Sequence, residues 1–112
     1  MPTHDSPLRP AVFHILLALA GGEQHGLGIA DTIEQETNGS IRLGPGTLYR
    51  SLKEMVRDEL IREVPAPAAG EDPRRRFYAL SEEGRALVQA EAERLARIVE
   101  VARANRVLPG AS

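Results

Sequence analysis

The chain has 112 residues, 42% of them hydrophobic, with 14 basic and 16 acidic side chains and a formal net charge of -2. That length gives one domain with a small core, for which a partner subunit is a ready source of further burial, and the apolar content excludes a largely disordered chain. Cysteine is absent, which excludes disulfides, thiolate metal sites and cysteine nucleophiles and suits a reducing cytoplasm, while the mild acidity excludes the uniformly basic surface that usually marks a nucleic-acid binder.

Residues 1–7 hold Pro2 and Pro7 and no periodicity, and are expected to form a flexible arm. They lack the basic segment and apolar run of a signal peptide, and no stretch reaches the roughly 18 apolar residues of a membrane span. The first predicted helix runs from Leu8 to Leu19. Leu8, Val12, Ile15, Leu16 and Leu19 follow a 3.6-residue period, and Phe13 and Leu17 extend the apolar surface round the helix. Burial on more than one side follows, part of it against another subunit; Gly21-Gly22 ends the helix. A second helix spans Gly26 to Thr37, with Leu27, Ile29, Ala30 and Ile33 inward and Asp31, Glu34, Gln35 and Glu36 in water. Asn38-Gly39 supplies the left-handed geometry that stops it.

Ile41-Arg42-Leu43 alternates and predicts a very short strand. Gly44 then acts as N-cap and Pro45 as first residue of a third helix, so residues 38–46 join two short helices as in a helix–turn–helix. On the third helix Leu48, Leu52 and Met55 recur at i, i+4 and i+7 as a buried stripe, and Thr47, Tyr49, Arg50, Lys53 and Arg57 lie off it. Leu60–Val64 and Arg76–Leu80 are rich in β-formers, and Pro65–Pro73 between them reads as loop, so the pair predicts a long-tipped hairpin, the wing of a winged helix–turn–helix. Ser81 is an N-cap, Glu82 and Glu83 complement the helix dipole, and one helix continues to about Arg106. Leu87/Val88, Glu91/Ala92, Leu95, Ile98/Val99 and Ala102 form a seam on it with a period near 3.5, Glu91 being the misfit. At 1.5 Å per residue this helix is about 35–40 Å long and outruns one domain core, so the seam meets another helix, most simply its copy in a homodimer.

The expected fold is mainly α with a small β-hairpin (α+β): a winged helix–turn–helix over 8–80, a dimerisation helix over 81–107 and a tail over 108–112. The dimer contacts expected are Val12, Leu16, Leu87, Val88, Leu95, Ile98, Val99 and Ala102.

Charge is distributed unevenly along these elements. Residues 1–40 carry five acidic side chains and one basic, residues 41–80 six acidic and eight basic, and residues 81–112 five of each. Over residues 42–57, Arg42, Arg50, Lys53 and Arg57 are opposed by Glu54 alone, and Arg74-Arg75-Arg76 makes a second cationic knot. A local patch can hold phosphates while the remaining surface stays acidic. A basic helix bearing Tyr49 suits the DNA major groove, with Tyr49, Arg50 and Lys53 on phosphates or base edges and Thr47 and the first backbone N–H groups on a phosphate; a merely solvated basic face is the plainer alternative. Arg74 and Arg75 either grip the DNA backbone or pair with Glu71 and Asp72, and Arg76 is expected to face the domain.

His4, His14 and His25 lack the spacing of metal ligands. His14 is expected to pack at an interface and His25 to start its helix. Gly44-Pro45-Gly46 fits no phosphate loop or dinucleotide fingerprint, and no catalytic trio or paired-carboxylate pocket is evident. Neither an enzyme nor a metal or cofactor site is expected. The reading from another class is a winged-helix module that binds a protein partner, for which the low total charge speaks.

Three segments, His25–Ala30, Gly44–Leu52 and Arg75–Arg85, resemble in order and spacing the PadR family of bacterial transcriptional regulators, and the likeness covers about residues 10–100. The single C-terminal helix resembles the short subfamily. The resemblance implies a cytoplasmic winged-helix homodimer that binds double-stranded operator DNA, usually as a repressor, with Tyr49 and Lys53 near DNA and the first and last helices building the dimer. It also implies a small-molecule effector at the dimer interface; some members hold planar ligands there between tryptophans, and this chain has no Trp and no aromatic residue after Tyr78.

Overall fold

Pro10 opens the first helix, α1 (Pro10–Ala20), at a position where its missing N–H breaks no helical bond. In the computed structural model, which describes residues 7–66 and 75–110, α1 is followed by β1 (Gln24–His25), α2 (Gly26–Glu36), α3 (Pro45–Arg57), β2 (Ile61–Val64), β3 (Phe77–Leu80) and the long α4 (Glu82–Ala104). The arm up to Ser6, the wing tip over 67–74 with Arg74, and residues 111–112 lie outside the described residues. Helices and a small antiparallel sheet give the expected α+β winged helix.

Two local expectations are corrected. Ile41-Arg42-Leu43 is not a strand. The Ile41 N–H donates to the Thr37 hydroxyl at 3.1 Å, so its backbone is satisfied by the end of α2 and not by a ladder. The sheet instead has a third strand that the sequence did not signal. Strand β1 sets Gln24 opposite Tyr78 and His25 opposite Phe77, giving the order β1-β3-β2. Gln24 is tied on both sides, donating to the Ala18 carbonyl at 3.2 Å and accepting from the Thr32 hydroxyl at 2.9 Å. These bonds explain how a strand of two residues holds its place between α1 and α2. As expected, α2 stops at left-handed residues, Asn38 with φ 51° and Gly39 with φ 79°.

One core joins every helix to the sheet. Ile15, Leu16 and Leu19 of α1, Ile29 and Ile33 of α2, Leu48, Leu52 and Met55 of α3, Ile61 and Tyr78 of the sheet, and Leu87 and Val88 of α4 form a single cluster. Each large aliphatic side chain gains about 1.5–3 kcal/mol by leaving water, against about 1 kcal/mol for a helix cap. The three anchors of α3, more than the turn before it, therefore fix which way its other face points. His14 is half-buried edge-on to Phe13, with its Nδ1 shielded and no bonding partner among the described residues.

The start of α4 is fused to the end of α3. The Ser81 hydroxyl donates toward the Glu59 and Leu60 carbonyls, at 2.7 and 2.8 Å, and accepts from the Gly84 N–H at 3.0 Å. Gly84 is needed because a Cβ there would collide with the Leu60 carbonyl. Two turns on, Glu91 is buried although charged. Its carboxylate accepts two bonds from Arg94, at 2.7 and 2.8 Å, and one from the Leu8 N–H at 3.2 Å. The Arg94 bonds, and then the Leu8 amide, hold its pKa below the ordinary carboxylate value against the opposing effect of burial. The misfit of the seam is thus a paired site that closes the N-terminal edge of α1 onto α4.

Beyond Glu91, α4 leaves the core, and the molecule extends 51 Å along its longest axis against 31 and 25 Å across. The expected seam divides there. Leu16, Leu87 and Val88 are sealed inside the protomer's own core. Val12 is half-buried against that core. Leu95 and Ala102 are half-buried, and Ile98 and Val99 are exposed, as is Val101, which the seam omitted.

Candidate nucleic-acid interface

Gly44 caps α3 without a side chain and Pro45 starts it, so the cap residue supplies no side-chain bond to the N–H groups of the first turn. With Leu48, Leu52 and Met55 inward, Thr47, Tyr49, Arg50, Lys53 and Arg57 all lie on the exposed surface of the helix. They do not form one cluster. Tyr49 and Lys53 flank a cleft of about 600 Å³ between α3, the start of α2 and the hairpin, where they face His25 and Arg75. Arg50 and Arg57, by their spacing, stand on the outer crest of α3. Thr47 is on the opposite flank, the side on which Glu54 pairs with Arg9 of the α1 approach at 3.8 Å.

Arg42 lies apart from the cleft. Its guanidinium reaches Glu34 of α2 at 3.6 Å and lies beside Gly39, so part of its charge is spoken for within the domain. Arg75 lines the cleft from the wing side. Arg76 does not face the domain as expected: its side chain is exposed and donates to Glu63 across the hairpin at 3.1 Å. That pair neutralises the acid on this wall. Among the described residues no carboxylate lies within ion-pair reach of Lys53 or Arg75.

The floor of the cleft depends on a close approach. A Cβ on Gly26 would sit 2.8 Å from the Cε1 and hydroxyl of Tyr49, so only glycine lets the phenol ring lie against the start of α2. Tyr78 closes the back. Burial raises its pKa, the Glu63 charge adds to the rise and Arg76 partly offsets it, so at neutral pH the wall carries a neutral phenol. His25 completes the set: it caps α2 as expected, its Nδ1 accepting from the Gly28 N–H at 3.1 Å, and its Nε2 lies 3.1 Å from Arg75 Nη1. This second contact leaves no local signal, because fifty residues separate the two. The β1–β3 pairing that joins them rests on a strand too short to read.

The arrangement offers a neutral aromatic hydroxyl, the cations Lys53 and Arg75 and an imidazole on opposite walls of an open groove, with two further cations along its outer edge. Such a surface recognises an extended anion. Among the described residues no helix is long and apolar enough to cross a membrane.

The sequence matches the transcriptional regulator PadR-like family over residues 15–90. It is 38% identical over 84 residues to an uncharacterized 37.1 kDa protein in transposon Tn4556 of Streptomyces fradiae; the alignment takes 75% of this chain and 22% of that protein, so the chain spans under a quarter of that relative's length. Among solved structures it is similar to a PadR family transcription regulator from Clostridium difficile R20291, with a TM-score of 0.70 and 24% identity over 83% of this chain and 94% of that one. It is also similar to Bacillus subtilis PadR in complex with operator DNA, with a TM-score of 0.62 and 22% identity over 78% and 47% of the two chains. These structural likenesses show the fold. The family match runs from α1 through the cleft-building elements to the buried turns of α4, and the chain belongs to the PadR-like family of transcriptional regulators.

Proposed function

We propose that the protein is a cytoplasmic, homodimeric repressor that binds a specific double-stranded operator and is released by a small molecule or another signal acting at the dimer interface. The observation that carries this reading is the pose of α3: its apolar stripe is sealed, so Tyr49 and Lys53 are held outward across the cleft from Arg75 of the wing, with Arg50 and Arg57 on the crest. In a dimer built on the outer half of α4, through Leu95, Ile98, Val99 and Ala102 with Val12 of α1 alongside, two α3 helices enter successive major grooves about 34 Å apart. Arg50, Lys53, Arg57, Arg74 and Arg75 hold phosphates, with Arg42 at the margin. Thr47 and the first N–H groups of α3 take a further phosphate, and Tyr49 donates to one or packs on a sugar or thymine methyl.

Fluorescence anisotropy with the duplex upstream of the protein's own gene tests the reading. The expected result is saturable, site-preferring binding whose logarithm falls with log salt by about 0.9 for each phosphate contacted. The net charge of -2 favours a second reading, a winged helix that docks on a protein. Equally weak binding to every duplex would support that reading and overturn the first.

A further inference from the structure

We propose that His25 and Arg75 form a two-donor clamp for one phosphate oxygen of the DNA backbone, an inference that rests on the DNA-binding reading above. A backbone amide can only donate, so the 3.1 Å bond from the Gly28 N–H to His25 Nδ1 leaves that nitrogen without a proton. The neutral imidazole then carries its proton on Nε2. Nε2 is the atom that faces Arg75 Nη1 at 3.1 Å, and a guanidinium has donors only. The contact is therefore donor against donor, and neither group satisfies the other.

His25 is poorly placed to escape this by turning. Its ring is fixed by the Gly28 bond and stands edge-on to Phe77, with centroids 5.4 Å apart and planes at 84°, and its backbone is paired with Phe77 in the sheet. Turning the ring would leave the start of α2 uncapped. What resolves the opposition is an acceptor with negative charge seated between the two nitrogens, taking one bond from each in the short, charge-assisted form.

The surroundings select the class of acceptor. The cleft is open and about 600 Å³, and Lys53 and the Tyr49 ring face the pair from α3. Among the described residues, Glu63 is the acid that lines the cleft, and it is bonded to Arg76 at 3.1 Å. The pair lies on the α2 and wing wall and not on the crest of α3. With α3 in a major groove, that wall meets the sugar–phosphate strand bordering the groove and not base edges. A phosphate oxygen also occurs on free phosphate, so the test separates the two sources.

The test uses the full-length protein and three readouts. Long-range ¹H–¹⁵N NMR of the free protein should show His25 as the Nε2–H tautomer; an Nδ1–H tautomer would make the contact an ordinary internal hydrogen bond and overturn the clamp. His25→Asn keeps an oxygen to cap α2 and removes the Nε2–H donor. It should weaken duplex binding about tenfold per protomer, the lower end expected for one bond to a charged group, and leave the salt slope unchanged because no charge is lost. Arg75→Gln should weaken binding similarly and lower the slope by about 0.9 per protomer. Wild-type affinity in both variants overturns the clamp while wild-type DNA binding stands; failure of the wild-type protein to bind any duplex overturns the underlying reading instead. The Nε2 resonance should move with duplex and respond to inorganic phosphate only at far higher concentration. Saturation by inorganic phosphate with indifference to duplex overturns the assignment to the DNA backbone.

Discussion

Helices α3 and α4 each bury a stripe of side chains in the same core, yet what they leave uncovered differs in kind. On α3 the stripe runs its whole length, and the open face is cationic and aromatic. On α4 the stripe stops at Glu91, and the half beyond it exposes Ile98, Val99 and Val101. A charged open face is at rest in water and waits for an anion, whereas an apolar one is not and asks for an apolar partner. One core thus supports two open faces of different kind, and the helix periods alone do not separate them.

The sharpest way to break this comparison is to cut the shared core from either side. Leu52→Ala in α3 and Leu87→Ala in α4 should each cost about 3 kcal/mol in chemical denaturation, the usual size for a buried leucine, whereas Ile98→Ala should cost a dilute protomer less than about 0.5 kcal/mol. Equal losses at positions 87 and 98 would mean that the two halves of α4 are not distinct. Placing a charge on the outer half should next separate association from folding: Ile98→Glu is expected to weaken the dimer by at least about tenfold in sedimentation while the thermal midpoint of the protomer barely moves, since a charge buried in an interface goes unpaired.

On α3 the effect is smaller and electrostatic. Lys53→Ala should lower DNA affinity on every sequence and reduce the salt slope by about 0.9 for each phosphate contact removed; an unchanged slope would take Lys53 off the DNA. The smallest expected effect lies at the boundary between the halves of α4. Because the Glu91 carboxyl titrates below its ordinary value, its ionised form stabilises the fold above the usual carboxylate range. That contribution is lost as pH falls through the lowered value. Thermal melts from pH 7 to pH 3 should show an acid-side loss that Glu91→Gln makes shallower.

The order and type of the helices, the caps at Gly44 and Ser81 and the left-handed stop at Asn38-Gly39 are legible because each rests on residues close in sequence. The composition of α3's two faces is legible for the same reason. Where α4 leaves the core is not, because Leu87 and Ile98 obey the same period and only the position of α1 decides which is covered. Leu16 went to the protomer's core for that reason too. Strand β1 escapes because two residues show no alternation, and the outward pose of Arg76 escapes because Glu63, the partner that holds it there, is brought to it by the hairpin. His25 was legible as a cap. Its second nitrogen was not, since the partner is brought to it by the sheet.

The joint at Ser81 and Gly84 makes α4 a pointer geared to α3. The hydroxyl grips the carbonyls of Glu59 and Leu60 just past the end of α3, and the glycine leaves no clearance against Leu60. Rotation of the rod about its base must break those bonds or drag α3 along. The rod's 23 residues span about 34 Å at 1.5 Å each, so a displacement of about 3 Å at its far tip corresponds to a turn of about five degrees at the root. In the proposed dimer, small rearrangements where two rods touch would thereby be converted into a reorientation of the cationic helix at the other end of the molecule.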